Sequence, residues 1–118
     1  VALDILEAVN STTTKRIVVS IQNNGTLDFL RPDDVIEISC DLSREGLKPV
    51  TPVKVPTAQK NMISCVKEYE RLAVAAILQQ DKSLAVRALM AHPLIGSWSL
   101  AKTLVEAYLD DEQFAAWR

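Results

Sequence analysis

The longest regular pattern of apolar and polar residues runs from Thr57 to Gln79. At 3.6 residues per turn it has an apolar face (Met62, Val66, Tyr69, Ala73, Ala76, Ile77) and a polar face (Lys60, Ser64, Lys67, Glu68, Arg71). From Leu72 to Leu78 every residue is apolar. The pattern predicts a helix of roughly six turns. Its second half should be covered on several sides and support the rest of the chain.

Runs rich in β-branched residues predict three strands before this helix. They are Arg16–Gln22, Thr26–Leu30 and Val35–Cys40. The first is followed by Asn23-Asn24-Gly25, and Asn-Gly tolerates positive φ at both central positions of a type I′ turn. We therefore expect a tight hairpin with Thr26–Leu30 as its return strand, in which Leu27 and Phe29 point inward.

The third strand follows a second predicted turn, Pro32–Asp34. Along this strand Ile36, Ile38 and Cys40 share one face. Gly46 and the prolines at positions 49, 52 and 56 then predict an extended segment at a sheet edge or in a loop.

Three further helices are predicted at Val1–Val9, Leu84–Ala91 and Trp98–Leu109. The second starts at a cap on Asp81 or Ser83 and ends before Pro93, and Ser97 caps the third. Residues predicted to face inward are Ala2, Ile5, Leu6 and Val9; Leu84, Ala85, Ala88 and Leu89; and Ala101, Leu104, Val105 and Tyr108. Lys102 and Glu106 should pair on the outside of the third helix. A last short turn, capped by Asp110 or Asp111, is expected to dock Phe114 and Trp117.

Together these elements predict an α+β fold, with a small antiparallel sheet of three strands packed against the central helix and a carboxy-terminal helical cluster. The length, 118 residues, indicates one domain over residues 1–118. The net charge of −2 gives no footprint for nucleic acid, and no apolar run is long enough to span a membrane. The chain starts inside a helical pattern without an initiator Met, so we expect it to be part of a longer polypeptide.

Few residues are candidates for chemistry. His92 could act as a base, but its position before Pro93 is typical of a helix carboxy terminus. Cys40 and Cys65 match no metal spacing and are expected to be reduced, packed thiols of a cytoplasmic protein. Asp33-Asp34 and Asp110-Asp111 are explained by turns and caps, and the amides of Asn23-Asn24-Gly25 by hairpin geometry. Trp98, Phe114 and Trp117 are expected to be core and docking residues. The residues themselves therefore identify no catalytic, cofactor-binding or metal-binding position.

Several stretches resemble the carboxy-terminal domain of glycoside hydrolase family 4. They are Arg16–Gly25, Leu30–Cys40, Gly46–Pro49, the central helix with Glu70, and Asp81–Pro93 with its ending Arg87–Leu94. The resemblance covers most of the chain in the same order and spacing. Its most specific parts are a strand followed by Asn-x-Gly, the sequence Pro-Asp-Asp-Val-Ile-Glu, and the sequence Ala-Leu-x-x-His-Pro-Leu. The most similar subgroup is the 6-phospho-β-glucosidases.

This resemblance implies a two-part enzyme that uses NAD and a divalent metal, usually manganese, to hydrolyse phosphorylated disaccharides by redox and elimination steps. The amino-terminal Rossmann-type domain would bind NAD, and a Cys and a His would hold the metal. All of these groups, with the catalytic Asp and Tyr and the phosphate-binding Arg, would lie before residue 1, so none maps onto Cys40, Cys65 or His92. The resemblance thus predicts a domain that completes the substrate cleft and the interface of a homo-oligomer but is inactive alone.

Two alternatives remain open from the sequence. One is a free-standing interaction module with no enzymatic parent. The other is the carboxy-terminal domain of a lactate- or malate-type dehydrogenase, which shares the two-part plan. The Asn-x-Gly turn and the His-Pro-Leu segment favour the glycosidase.

Overall fold

The computed structural model describes residues 2–51, 54–110 and 115–117, which form parts of two compact units, Val1–Val55 and Pro56–Arg118. Within these residues the elements are α1 (Ala2–Asn10), β1 (Lys15–Gln22), β2 (Val35–Ser43), β3 (Gly46–Pro49), α2 (Thr57–Gln79), α3 (Lys82–Ala91) and α4 (Trp98–Tyr108). The predicted α+β class is confirmed. The packing of the sheet against the central helix and the single-domain organisation stay predictions.

The first unit contains an antiparallel sheet in the order β1-β2-β3. In its register Ile17 lies opposite Cys40, and Ile21 lies opposite Ile36. Side chains alternate along β1 between half-buried and exposed, so one face of the sheet is more buried than the other. On β2 the predicted apolar face is confirmed and continues to Leu42.

The predicted return strand Thr26–Leu30 is wrong. β1 pairs instead with β2, the strand predicted third, and residues 23–34 form the loop between them. The sheet nevertheless has three strands, because Gly46–Pro49, predicted as an extended edge segment, pairs with β2.

Helix α1 contacts β1 and β2, and Lys15 at the start of β1 forms ion pairs with Asp4 and Glu7. Its fully buried residue is Ala8, whereas Ala2, Leu6 and Val9, predicted to face inward, are exposed. Ala8 has a small side chain, which permits a close approach of helix to sheet. The apolar character of Leu6 and Val9 did not indicate which face of α1 packs against the sheet.

The second unit consists of α2, α3 and α4, with α3 in contact with both other helices. The bounds of α2 are those predicted. It ends at Gln80 in the left-handed conformation (φ 52°), where the N–H groups of Gln80 and Asp81 donate to the carbonyls of Ile77 and Ala76. The side chain of Asp81 caps α3 through the Leu84 N–H, and that of Ser97 caps α4 through the Leu100 N–H, both as predicted.

The apolar faces of these helices differ from the prediction. In α2 the side chain of Ala76 is buried, but Met62 and Ile77 are exposed, and Leu78 is 79% exposed. Val86, which was not predicted to face inward, joins Ala101 and Val105 in the core, whereas Tyr108 is 77% exposed. The prediction that the second half of α2 is covered on several sides is therefore wrong within the described residues, because Val74, Ile77 and Leu78 all remain exposed.

The predicted turn after Asp110 falls largely on residues 111–114, which lie outside the described residues, as does Phe114. Lys102 and Glu106 form the predicted outward pair, at 3.7 Å. No helix within the described ranges is long and apolar enough to cross a bilayer.

Candidate functional site

The loop of residues 23–34 is organised by one buried asparagine. Asn23 has no exposed surface. Its side-chain oxygen accepts from the Leu27 N–H at 2.8 Å, and its amide nitrogen lies 3.0 to 3.3 Å from the carbonyl oxygens of Leu27, Leu30 and Arg31. An amide nitrogen has two hydrogens, so three acceptors require one shared hydrogen bond. We call residues 23–34 the Asn23 loop.

These contacts explain why the predicted return strand does not form. The backbone groups of Leu27 and Leu30 that would pair in a ladder instead bind the Asn23 side chain. The turn itself is confirmed: Asn24 and Gly25 have φ of 43° and 85°, and the Thr26 N–H donates to the Asn23 carbonyl.

A second set of bonds closes the base of the Asn23 loop. The Asn23 N–H donates to the Asp34 carbonyl at 2.7 Å, and the Asn24 N–H donates to the Pro32 carbonyl at 2.9 Å. The Asp34 carboxylate accepts from the Arg31 N–H at 2.9 Å. Asp34 therefore has the structural role in a turn that its position suggested.

At the end of the β1–β2 pair that is farther from this loop, Arg16 on β1 and Asp41 on β2 are cross-strand partners on the more exposed face of the sheet. The guanidinium binds both carboxylate oxygens, at 2.8 and 3.0 Å. The hydrogen bonds from Arg16 lower the pKa of the Asp41 carboxyl below its usual value of 3.8, and the positive charge acts in the same direction. Asp41 also lines an open polar cleft of about 540 Å³ with the hydroxyls of Ser11, Thr12 and Ser43.

His92 lies at the carboxy terminus of α3, as predicted. Its Nδ1 accepts from the Leu94 N–H at 3.3 Å, and its ring meets Tyr69 of α2 edge to face at 4.8 Å. These contacts fix the imidazole between two helices of the same unit, which is a structural arrangement.

The two thiols are both free but differ in environment. Cys40 has no exposed surface, as expected, and its sulfur lies 3.7 Å from the Ile38 carbonyl. Cys65 is exposed on α2, so the prediction that both are packed is wrong for this residue.

An apolar groove of about 420 Å³ lies among α2, α3 and α4. Its lining includes four alanines, Ala73, Ala76, Ala85 and Ala88, together with larger apolar side chains and Trp117. Trp117 thus has the docking position predicted for it, but Trp98 is 57% exposed and not a core residue.

Over residues 2–51, 54–110 and 115–117, no three His, Cys, Asp or Glu side chains come together in a group that could hold a metal ion. The described residues therefore do not fit a manganese site, and no reaction step is assigned to them. Sequence reasoning missed the role of Asn23 and the pairing of Arg16 with Asp41. The pairing of Arg16 with Asp41 depends on the register of β1 with β2, and the sequence had predicted Thr26–Leu30 as the neighbour of β1.

Comparison with known protein families relates this fold to a class of enzymes. The family model described as "Family 4 glycosyl hydrolase C-terminal domain" matches residues 1–95. The chain belongs to this family. The matched range includes the Asn23 loop, α2, α3 and the His92 segment.

Relatives of this family 4 domain include enzymes of both anomeric types. The 6-phospho-beta-glucosidase BglT of Thermotoga maritima is 36% identical over 93 residues, which cover 79% of this chain and 22% of BglT. The phospho-alpha-glucosidase PagL of Clostridium acetobutylicum is 23% identical over 108 residues, 92% of this chain and 24% of PagL. The chain thus spans less than a quarter of the length of these curated relatives.

Two solved structures share the fold. The Thermotoga maritima 6-phospho-beta glucosidase, determined with manganese, NAD+ and glucose-6-phosphate, superposes with a TM-score of 0.79 at 31% identity, over 95% of this chain and 28% of that one. A 6-phospho-alpha-glucosidase from gut microorganisms, in complex with NAD and Mn2+, gives a TM-score of 0.83 at 20% identity, over 98% of this chain and 27% of that one. At that identity the second likeness concerns the fold alone.

Proposed function

We propose that this chain is the carboxy-terminal domain of an NAD- and divalent-metal-dependent 6-phospho-β-glucosidase. The observation that carries the proposal is the family match over residues 1–95, together with 36% identity to a Thermotoga maritima 6-phospho-beta-glucosidase of which this chain spans 22%. The parent enzyme would hydrolyse phosphorylated disaccharides in the cytoplasm. No observation favours the dehydrogenase or the free-standing module.

The cofactors belong, in this proposal, to the amino-terminal part of the parent. The related Thermotoga maritima structure contains manganese, NAD+ and glucose-6-phosphate. The described residues of this chain offer no group of metal ligands. The redox and elimination chemistry that NAD and the metal supply would therefore involve groups outside this chain, which would be inactive alone.

The domain itself would shape the cleft over the sugar and contribute to subunit contacts. Support comes from large apolar side chains left exposed on α1 and at the end of α2. Leu3 is 81% exposed, Leu6 60% and Ile77 62%. Apolar surface of this kind is typical of a contact with another part of the protein. We propose that it meets the amino-terminal domain of the parent and, in a homo-oligomer, a second subunit.

A domain exchange tests this function. This chain would replace the matching domain of the Thermotoga maritima enzyme, and hydrolysis of a 6-phospho-β-glucoside would be measured with and without NAD and Mn²⁺. We expect hydrolysis that requires both cofactors. The same enzyme without any carboxy-terminal domain serves as the control and should be inactive, and a 6-phospho-α-glucoside tests the anomeric preference.

A folded chimera that binds NAD yet hydrolyses neither substrate would contradict the proposal. So would NAD binding by the isolated 118-residue chain, measured by calorimetry, because the proposal assigns all cofactor contacts to the amino-terminal part.

A further inference from the structure

Asn24 is an exposed asparagine that precedes a glycine. Within the described part of the chain neither its side-chain amide nor the Gly25 N–H has a hydrogen-bond partner. Gly25 adds no side chain, and a Cβ built on it would meet no atom within 4 Å. The side chain of Asn24 can therefore rotate towards a backbone nitrogen that is neither bonded nor shielded.

We propose that Asn24 is a site of spontaneous deamidation in the folded protein. The Gly25 amide nitrogen loses its proton and forms a bond to the Asn24 Cγ. The bond from Cγ to Nδ2 breaks, and ammonia leaves with the proton. Water then opens the resulting cyclic imide at one of its two carbonyls, which yields aspartate or isoaspartate at position 24. The reaction consumes only water and transfers no electrons to another group.

The other three asparagines of the chain are protected, each by a different feature. Asn23 is fully buried with both amide atoms bonded, and the nitrogen that would attack it, the Asn24 N–H, is bound to the Pro32 carbonyl. The side chain of Asn10 donates to the Leu6 carbonyl. Asn61 lies inside α2, where the helical backbone holds the following amide. The structure thus distinguishes two adjacent asparagines that the sequence presents as similar.

The modification has two consequences that can be measured. It adds one negative charge, so the formal net charge changes from −2 to −3. Isoaspartate also adds a methylene group to the main chain, within a turn that the bond from the Thr26 N–H to the Asn23 carbonyl closes at 2.8 Å. We expect this bond to be lost, while the bonds from the buried Asn23 side chain remain.

The experiment follows the intact chain over time at mildly alkaline pH, by ion-exchange chromatography and by peptide mapping with fragmentation that separates isoaspartate from aspartate. One acidic species should accumulate, with the change at position 24 alone. Its rate in the native chain should be on the same order as in the chain unfolded in urea, and it should rise with pH because the Gly25 nitrogen must be deprotonated.

Two variants serve as controls. Asn24→Gly keeps a residue that accepts positive φ and should give no acidic species. Asn24→Asp supplies the chromatographic standard for one product. The proposal is overturned if native Asn24 stays intact while the urea-unfolded chain is modified, since the turn would then protect it. It is also overturned if the acidic species maps to Asn10, Asn23 or Asn61.

Discussion

Asn23 shows how one side chain can determine the path of a loop. Its carboxamide satisfies backbone groups of three residues that would otherwise be unpaired in the closed interior of the Asn23 loop. The amide orientation is fixed by its partners, because the oxygen faces an N–H and the nitrogen faces carbonyl oxygens. Neither hydrophobicity nor turn propensity encodes this role.

Asn23→Ala should therefore be strongly destabilising. It leaves one part-buried N–H and three carbonyl oxygens without their side-chain partner, for an expected loss of about 2–4 kcal/mol in the free energy of unfolding. Urea unfolding followed by circular dichroism measures the loss, and faster hydrogen exchange of the Leu27 amide locates it.

The matched control for this prediction is Asn61→Ala, which removes an exposed amide from α2 and should change stability by at most about 0.5 kcal/mol. Asn23→Asp keeps the shape but places a carboxylate beside carbonyl oxygens. If that variant were as stable as the original chain, the amide donors would not hold the loop.

Arg16 lowers the pKa of Asp41 below 3.8 through its hydrogen bonds and its charge. The folded pKa is thus below that of the unfolded chain. The pair stabilises the fold fully above the unfolded pKa, and this contribution is lost as pH falls through the folded pKa. Arg16→Gln should return the Asp41 pKa towards 3.8, as measured by carboxyl chemical shifts during an NMR titration.

Arg44→Gln is the control for this titration, because it removes the same charge from an exposed residue that makes no bond to Asp41 within the described residues. The Asp41 pKa should stay low in that variant. An equal shift in both variants would show that overall charge, and not the contact with Arg16, lowers the pKa.

At the scale of the elements, the connection between α2 and α3 contains a residue in a conformation that suits glycine. Gln80 has φ of 52° and closes α2 by two hydrogen bonds to its last turn. Side chains with a Cβ adopt this region at a cost of about 1 kcal/mol relative to glycine.

Gln80→Gly should accordingly stabilise the second unit by about 1 kcal/mol, read from the midpoint of thermal unfolding. The adjacent Gln79→Gly provides the control, since Gln79 is still helical and glycine there should cost about 0.5–1 kcal/mol. Equal effects of both changes would contradict the assignment of Gln80 as the helix cap.

The helices of the second unit were predictable because their limits depend on neighbouring residues. Asp81 and Ser97 cap the helices that follow them, and Pro93 limits α3. The hairpin was not predictable, because Asn24 and Gly25 do form a turn but the return strand is prevented by a side chain buried at Asn23. The buried faces of the helices were not predictable either. Helix α2 is apolar all round near Ile77, so the face that becomes buried depends on which neighbours contact it.

In the candidate site, too, some features could be predicted from the sequence and others could not. The residues of the family resemblance could be recognised from the sequence, and the family match over residues 1–95 confirms it. The structural roles of Asp34 and His92 also agree with their sequence positions. The cross-strand contact of Arg16 could not be anticipated, because it depends on Asp41, which lies 25 positions away in the sequence.

At the scale of the whole molecule, the exposed apolar side chains suggest a surface that contacts other protein. Leu3, Leu6 and Leu78 leave most of their side-chain surface in water. This chain also spans only 22% of the Thermotoga maritima relative that it matches. A protein usually covers apolar surface of this kind with another part of itself or with a partner.

We therefore predict that the isolated chain self-associates through α1, which sedimentation velocity would show as an average mass that rises with concentration. Leu3→Lys combined with Leu6→Lys should shift the chain to a monomer, because the apolar side of α1 would carry two charges. Thr12→Lys combined with Thr14→Lys adds the same charge to exposed polar positions of the following connector and should leave the association unchanged. If both pairs dissociate the chain equally, overall charge repulsion and not the contact through α1 governs the association. If the unmodified chain is monomeric at every concentration, the exposed face of α1 does not suffice to bind a second copy.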